Sequence, residues 1–189
     1  LLMNTSVEAK ECVILLHGLA RTEGSLVKIE EKLIDAGYNT VNQGYPSTKH
    51  TIEKLAEDSI TNALSRCPDG DTIHFVTHSM GGILVRQYLS RNTIDNLGRV
   101  VMLGPPNKGS QVVDKLKDTP GFMFMNGPAG MQLGTGRMNV PAQIGPANFE
   151  LGIIAGTRSI NFILSRMLPN PHDGKVSVEN TKLEGMKDH

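Results

Sequence analysis

The sequence predicts an α/β fold: a mostly parallel sheet with helices on both faces. A short, continuous apolar run at Cys12–Leu16 suits a strand buried on both sides, and further strand-like runs recur at Thr72–Val76, Arg99–Leu103 and Leu151–Gly156. Stretches with apolar residues at helical spacing separate them, and such alternation of strand and helix argues for a parallel sheet. The third observation is size. With 189 residues, 39% hydrophobic content and no run of 18 or more apolar residues, the chain fits one domain with a substantial core and no membrane-spanning helix.

Residues Leu1–Ala9 resemble the tail of a secretory signal, with Val7 and Ala9 in the small-residue places of a cleavage site. A frayed N-terminus fits them equally. Cys12–Leu16 is the first core strand, and His17–Ser25 is a loop. From Ser25 to Ala36, Leu26, Ile29, Leu33 and Ile34 predict a helix that Gly37 stops. Tyr38–Val41 is a second strand with a turn-rich exit over Gln43–Ser47. A helix follows from Thr51 to Arg66, closed by Pro68-Asp69-Gly70-Asp71. The strand leading to Ser79, a helix from Gly82 to about Arg91 and the strand Arg99–Leu103 complete the regular part.

Residues 104–148 break this rhythm. They hold Gly104-Pro105-Pro106-Asn107-Lys108-Gly109-Ser110, a short helical stretch near Val112–Leu116, and a segment rich in Gly, Pro and Met. A long, weakly patterned insert of this kind usually covers a site or lies disordered. Within it, Phe122-Met123-Phe124-Met125 reads either as the wall of an acyl pocket or as a cluster that tacks the insert to the core. After the strand at Leu151–Gly156, a loop or helix runs through Phe162-Ile163-Leu164 and leads to Pro171-His172-Asp173-Gly174. Residues 10–189 are read as a single domain with a cover insert at about 105–148.

The stretch with most chemical content is Thr72–Gly82, where a β-rich run stops at Ser79 and two glycines follow. It reads as a nucleophile elbow, in which a sharp strand-to-helix turn presents a serine hydroxyl. The usual G-x-S-x-G pattern becomes Thr77-x-Ser79-x-Gly81, and the simpler alternative is a helix cap formed by Ser79. A serine nucleophile needs a base, an acid residue to orient the base, and donors for the oxyanion. The backbone N–H of Met80 is one expected donor, and that of Leu19, in the loop after the first strand, is the other. His17 reads as a structural residue of that loop. Asp173 stands where the chain order Ser, Asp, His puts the acid.

The base is the missing part. His189 is the only histidine after Asp173, and between them only Val176-Ser177-Val178 is strand-like. Leu183–Asp188 reads as a loop entering an absent last strand, with His189 at the wrong end of it. The catalytic histidine is therefore expected beyond the chain end. His50, His74, His78 and His172 read as loop, strand or site-flanking residues.

Together, His17-Gly18-Leu19-Ala20-Arg21-Thr22, the elbow Thr77–Gly82, Gly104–Ser110 and Asp173-Gly174-Lys175-Val176 resemble the α/β-hydrolase superfamily, and within it small bacterial lipase or esterase-like proteins. The resemblance spans nearly the whole chain. It implies ester hydrolysis through an acyl-enzyme, with Ser79 as nucleophile and Asp173 as acid member, no metal and no cofactor. Acyl transfer or thioester hydrolysis on the same machinery, or a noncatalytic binding domain, are the alternatives. The expected partner is a small-molecule ester or lipid. Nineteen basic and nineteen acidic side chains leave no charge footprint for nucleic acid. If the strands at Cys12 and after Cys67 are sheet neighbours, both thiols fall near one end of the sheet, where a disulfide is geometrically conceivable and two buried reduced cysteines are an equally ordinary outcome; a disulfide, with the signal-like start, would point to export, to the periplasm or outside the cell, with the cytoplasm as the alternative.

Overall fold

The computed structural model describes residues 10–158 and 170–189. The signal-like residues 1–9 and the loop or helix read through Phe162–Leu164 lie outside the described residues.

Five strands form one sheet: β1 (Glu11–Leu16), β2 (Asn39–Gln43), β3 (Thr72–His78), β4 (Leu97–Leu103) and β5 (Glu150–Ile154). Their order is β2-β1-β3-β4-β5, and every neighbouring pair is parallel. Helix α1 (Val27–Asp35) joins β1 to β2, α2 (Ile52–Leu64) joins β2 to β3, and α3 (Met80–Leu89) joins β3 to β4. Right-handed crossovers put α1 on one face and α2 and α3 on the other, and α2 packs on α3.

The connection from β1 leaves toward β2, whereas that from β3 leaves toward β4. Their loops part at the carboxyl ends of these two strands, and this topological switch point is where open α/β sheets bind ligands. Register puts Leu16 beside Thr77. The next residues, His17-Gly18 and His78-Ser79, therefore emerge side by side.

The core lies between the sheet and α2 and α3, where Ile14, Leu16, Leu55, Ile60, Phe75, Ile83, Leu84 and Met102 are all below 3% exposed. The insert joins that core. Its helices α4 (Gln111–Leu116), α5 (Phe122–Met131, kinked at Gly127) and α6 (Val140–Gln143) contribute Val113, Ala129, Leu133 and Val140. Arg86 of α3 holds the insert down. Buried at 3% exposure, it donates to the carbonyls of Asn107, Pro141 and Gly145 and to Asn107 Oδ1. Burial with no carboxylate among those partners pushes its guanidinium down to about 10. Cys12 and Cys67 form a disulfide with 5.9 Å between Cα atoms, closing a loop of 55 residues.

Three local readings change. Helix α3 begins at Met80 instead of Gly82, so both glycines lie in its first turn. Val176-Ser177-Val178 is not a strand: Ser177 bridges His172, and Val178–Thr181 is one helical turn, α7, capped by Ser177 Oγ. The last residues do reach the sheet. Lys187 N–H donates to Leu151 O, and Ile153 N–H to Asp188 O, so Asp188 takes a parallel edge position beside Gly152.

Candidate active site

Ser79 adopts φ 52°, ψ −120°, one of two non-glycine residues with positive φ among the described residues. Such a conformation costs roughly 1–3 kcal/mol and persists only where its surroundings impose it. Here they do. Ser79 N–H donates to Leu103 O at 2.9 Å, and its carbonyl accepts from Gly82 N–H at 3.1 Å. A Cβ at Gly81 would lie 2.5 Å from Leu16 O and 2.9 Å from His17 O, so α3 starts against the backbone of β1 as only glycine permits.

Gly82 explains the departure at Thr77. A Cβ there would come within 2.9 Å of Met102 Sδ and 3.2 Å of Thr77 Oγ1. Thr77, fully buried, uses the room that this second glycine leaves. The Ser79 side chain does not cap α3. Among the described residues no partner bonds its hydroxyl, which faces a cavity.

The loop after β1 is held from beneath. His17 is buried; its Nδ1 lies 2.9 Å from Gly18 O, Tyr45 N–H donates to its Nε2 at 3.4 Å, and the two rings stack at 4.0 Å. Tyr45 also donates its hydroxyl to His17 O. Both imidazole nitrogens are thus engaged in a neutral ring, and burial lowers the His17 pKa from its ordinary value. Ala20 takes a left-handed φ of 53° and donates its N–H to Ser47 Oγ at 3.0 Å. Tyr45 and Ser47, which support this loop, were not singled out from sequence. The signal was their place in the turn leaving the strand next to β1.

Gly18 lies against Ser79: a Cβ on it would be 3.2 Å from Ser79 Cβ and 2.9 Å from His78 Nδ1. Among the described residues neither the Leu19 nor the Met80 N–H has an acceptor. For Met80 this follows from its place at the first position of a helix.

Asp173 approaches from the other side. Its Oδ1 accepts the N–H groups of Lys175 and Val176 at 2.8 and 2.9 Å, which fixes the turn. A Cβ at Gly104, after β4, would stand 3.1 Å from its Oδ2, and one at Gly156, after β5, 2.9 Å from its Cβ. Two glycines thus open a slot for this carboxylate at the carboxyl edge of the sheet. The turn is tied to the start of the insert: Ser110 Oγ donates to Lys175 O, and Asn107 Nδ2 to Thr181 O. His172 is buried, and its Nδ1 accepts from Gly174 N–H. His189 is exposed and engages Thr181 Oγ1 at 2.9 Å. His74 contacts Glu11 Oε1 at 3.1 Å, near the opposite end of β3.

A cavity of about 540 Å³ opens at Ser79 between the Gly18–Arg21 loop, the Lys175–Val176 turn and the insert. Val113, Leu116, Phe122 and Leu133 give it apolar walls. Of the Phe122–Met125 stretch, Phe122 and Met125 line it, Met125 while 71% exposed, whereas Phe124, 93% exposed, and Met123, 51% exposed, do not. The acyl-wall reading therefore fits half of those residues. His78 also lines the cavity. Burial first, and the positive charges of Lys175 and Arg21, push its pKa down against the opposing pull of Asp173. Among the described residues no cluster of His, Cys, Asp or Glu is suited to a metal ion.

A parallel sheet with a strained serine between its central strand and helix defines an α/β-hydrolase type of fold. Solved structures share it. The mature form of a Bacillus licheniformis lipase matches with a TM-score of 0.70 at 20% identity, over 96% of this chain and 82% of that one. A metagenomic carboxyl esterase matches at 0.70 and 18%, over 96% and 63%. The phospholipase PlaB of Legionella pneumophila matches at 0.67 and 21%, over 92% of this chain and 45% of its own. No protein-family model and no curated protein sequence matches the chain.

Proposed function

We propose that the protein is a serine carboxylic-ester hydrolase of the esterase or lipase kind, working through an acyl-enzyme on Ser79. Ser79 Oγ attacks the acyl carbonyl as a base takes its proton. The N–H groups of Leu19 and Met80 hold the oxyanion, the alcohol leaves with the base's proton, and water then releases the acid. Asp173 orients the base. Of the described residues none holds a base against the serine hydroxyl, so the histidine of this scheme is not assigned. The observation that carries the proposal is the φ of 52° at Ser79, a strain imposed on a side chain that caps nothing and opens on an apolar cavity. The lipase, esterase and phospholipase of the same fold support the class. The Cys12–Cys67 disulfide supports an oxidising, exported location.

Incubation of the native protein with p-nitrophenyl esters, acyl-thioesters and an alcohol acceptor tests it. Ester hydrolysis that Ser79→Ala abolishes is expected. Ser79-dependent transfer without hydrolysis would make it an acyltransferase, and no turnover of any acyl donor would make it a binding domain.

A further inference from the structure

The cavity at Ser79 has charged walls of one sign. Among the described residues, Arg21 and Lys175 are its charged lining residues and no aspartate or glutamate lines it, in a chain whose formal charge is zero. Both side chains are exposed, and among the described residues neither joins an ion pair. Their backbones are fixed by the fold. Arg21 N–H donates to Gly18 O, just after Ala20 is pinned to Ser47, and Lys175 is held through its N–H by Asp173 and through its carbonyl by Ser110. Asp173, the nearest acid to Lys175 in sequence, spends Oδ1 on the turn, and neither it nor Glu23, the nearest to Arg21, belongs to the cavity lining. One exposed cation thus stands on each of the two loops that flank the serine, while Val113, Leu116, Phe122 and Leu133, buried or half-buried, form apolar walls.

We propose that Arg21 and Lys175 select esters whose alcohol portion carries an anionic group, phosphate or carboxylate, with the acyl chain lying along the apolar walls. The acyl chain takes the apolar end, so the alcohol portion is left beside the two loops, where an anion meets both cations. This rests on the reading of Ser79 as the reacting group.

Three dodecanoyl esters test it: 1-dodecanoyl-glycerol, its 3-phosphate, and the carboxylate ester dodecanoyl glycolate. At low salt, kcat/KM for one or both anionic esters exceeds that of the neutral ester by about tenfold, the scale of two exposed ion pairs. The preference shrinks as salt screens the charges. Preference for the phosphate alone, or for both anions, tells which group is read. Arg21→Gln with Lys175→Gln lowers kcat/KM for the anionic esters by about tenfold relative to that for the neutral ester, which removes the preference. Equal kcat/KM for all three esters overturns the inference while keeping the hydrolase, as does an equal loss on all three in the double variant. Calorimetric titration of Ser79→Ala with the same compounds below their micelle concentrations separates the two readings. Selective binding of an anionic ester with no turnover by the native protein supports the ligand class and overturns the hydrolase. Equal binding of all three overturns the ligand class.

Discussion

At the level of single residues, Ser79 carries both the strain and the proposed chemistry. Glycine adopts φ 52° freely, so Ser79→Gly should raise unfolding free energy by about 1 kcal/mol while ending ester turnover; urea denaturation beside an esterase assay checks both. A loss of stability would mean that the side chain is structural. His17 and His78 make a second statement. Burial holds both below their ordinary pKa of 6.5, so each binds its proton more weakly folded than unfolded. Their contribution is present above about pH 6.5 and is lost as pH falls below it. Melting temperature is therefore expected to drop between pH 7 and pH 5, with a shallower slope in His78→Asn; identical slopes would refute it. That Ser79, Asp173 and the Leu19 loop lie at one end of the sheet was legible because each sits at a fixed place in a chain order. The positions of Lys175 at the cavity and Tyr45 beneath the loop were not, because they depend on which loops meet over the switch point.

Among the elements, the junction of β3 with α3 depends on two glycines that do different things. Gly81 lets the helix begin against the carbonyls of Leu16 and His17, whereas Gly82 makes room for Thr77. Gly81→Ala forces the helix off β1 and is expected to cost about 2 kcal/mol or more, measured by chemical denaturation. Thr77→Gly restores the usual motif but leaves a void, so it should lower stability too; a gain would contradict the packing described. Sequence periodicity located every strand to within two residues at its start, since buried parallel strands are continuous apolar runs. It failed at Val176-Ser177-Val178. Three alternating residues cannot distinguish a strand from one bridge followed by a helical turn, and the pairing with His172 that decides the matter follows from the turn at Asp173.

For the molecule as a whole, the disulfide ties β1 to the end of α2 and Arg86 ties α3 to the insert. The 55-residue loop closed by Cys12 and Cys67 implies about 4 kcal/mol of stabilisation in the chain-entropy picture. Cys12→Ala with Cys67→Ala should lower the denaturation midpoint accordingly without altering which serine reacts. The parallel sheet and its helices were readable from the alternation of apolar runs, and the disulfide was foreseeable as a near approach of two strand ends. How the insert folds back was not, since Arg86 acts on carbonyls, which carry no side-chain signature. The proposal these parts bear on is that the fold presents Ser79 as a nucleophile. A fluorophosphonate probe, read by intact-protein and peptide mass spectrometry, tests it most directly. One adduct on Ser79 of the native protein, absent in Ser79→Ala, is the predicted result; an unlabelled Ser79 under conditions that label a control serine hydrolase would contradict it.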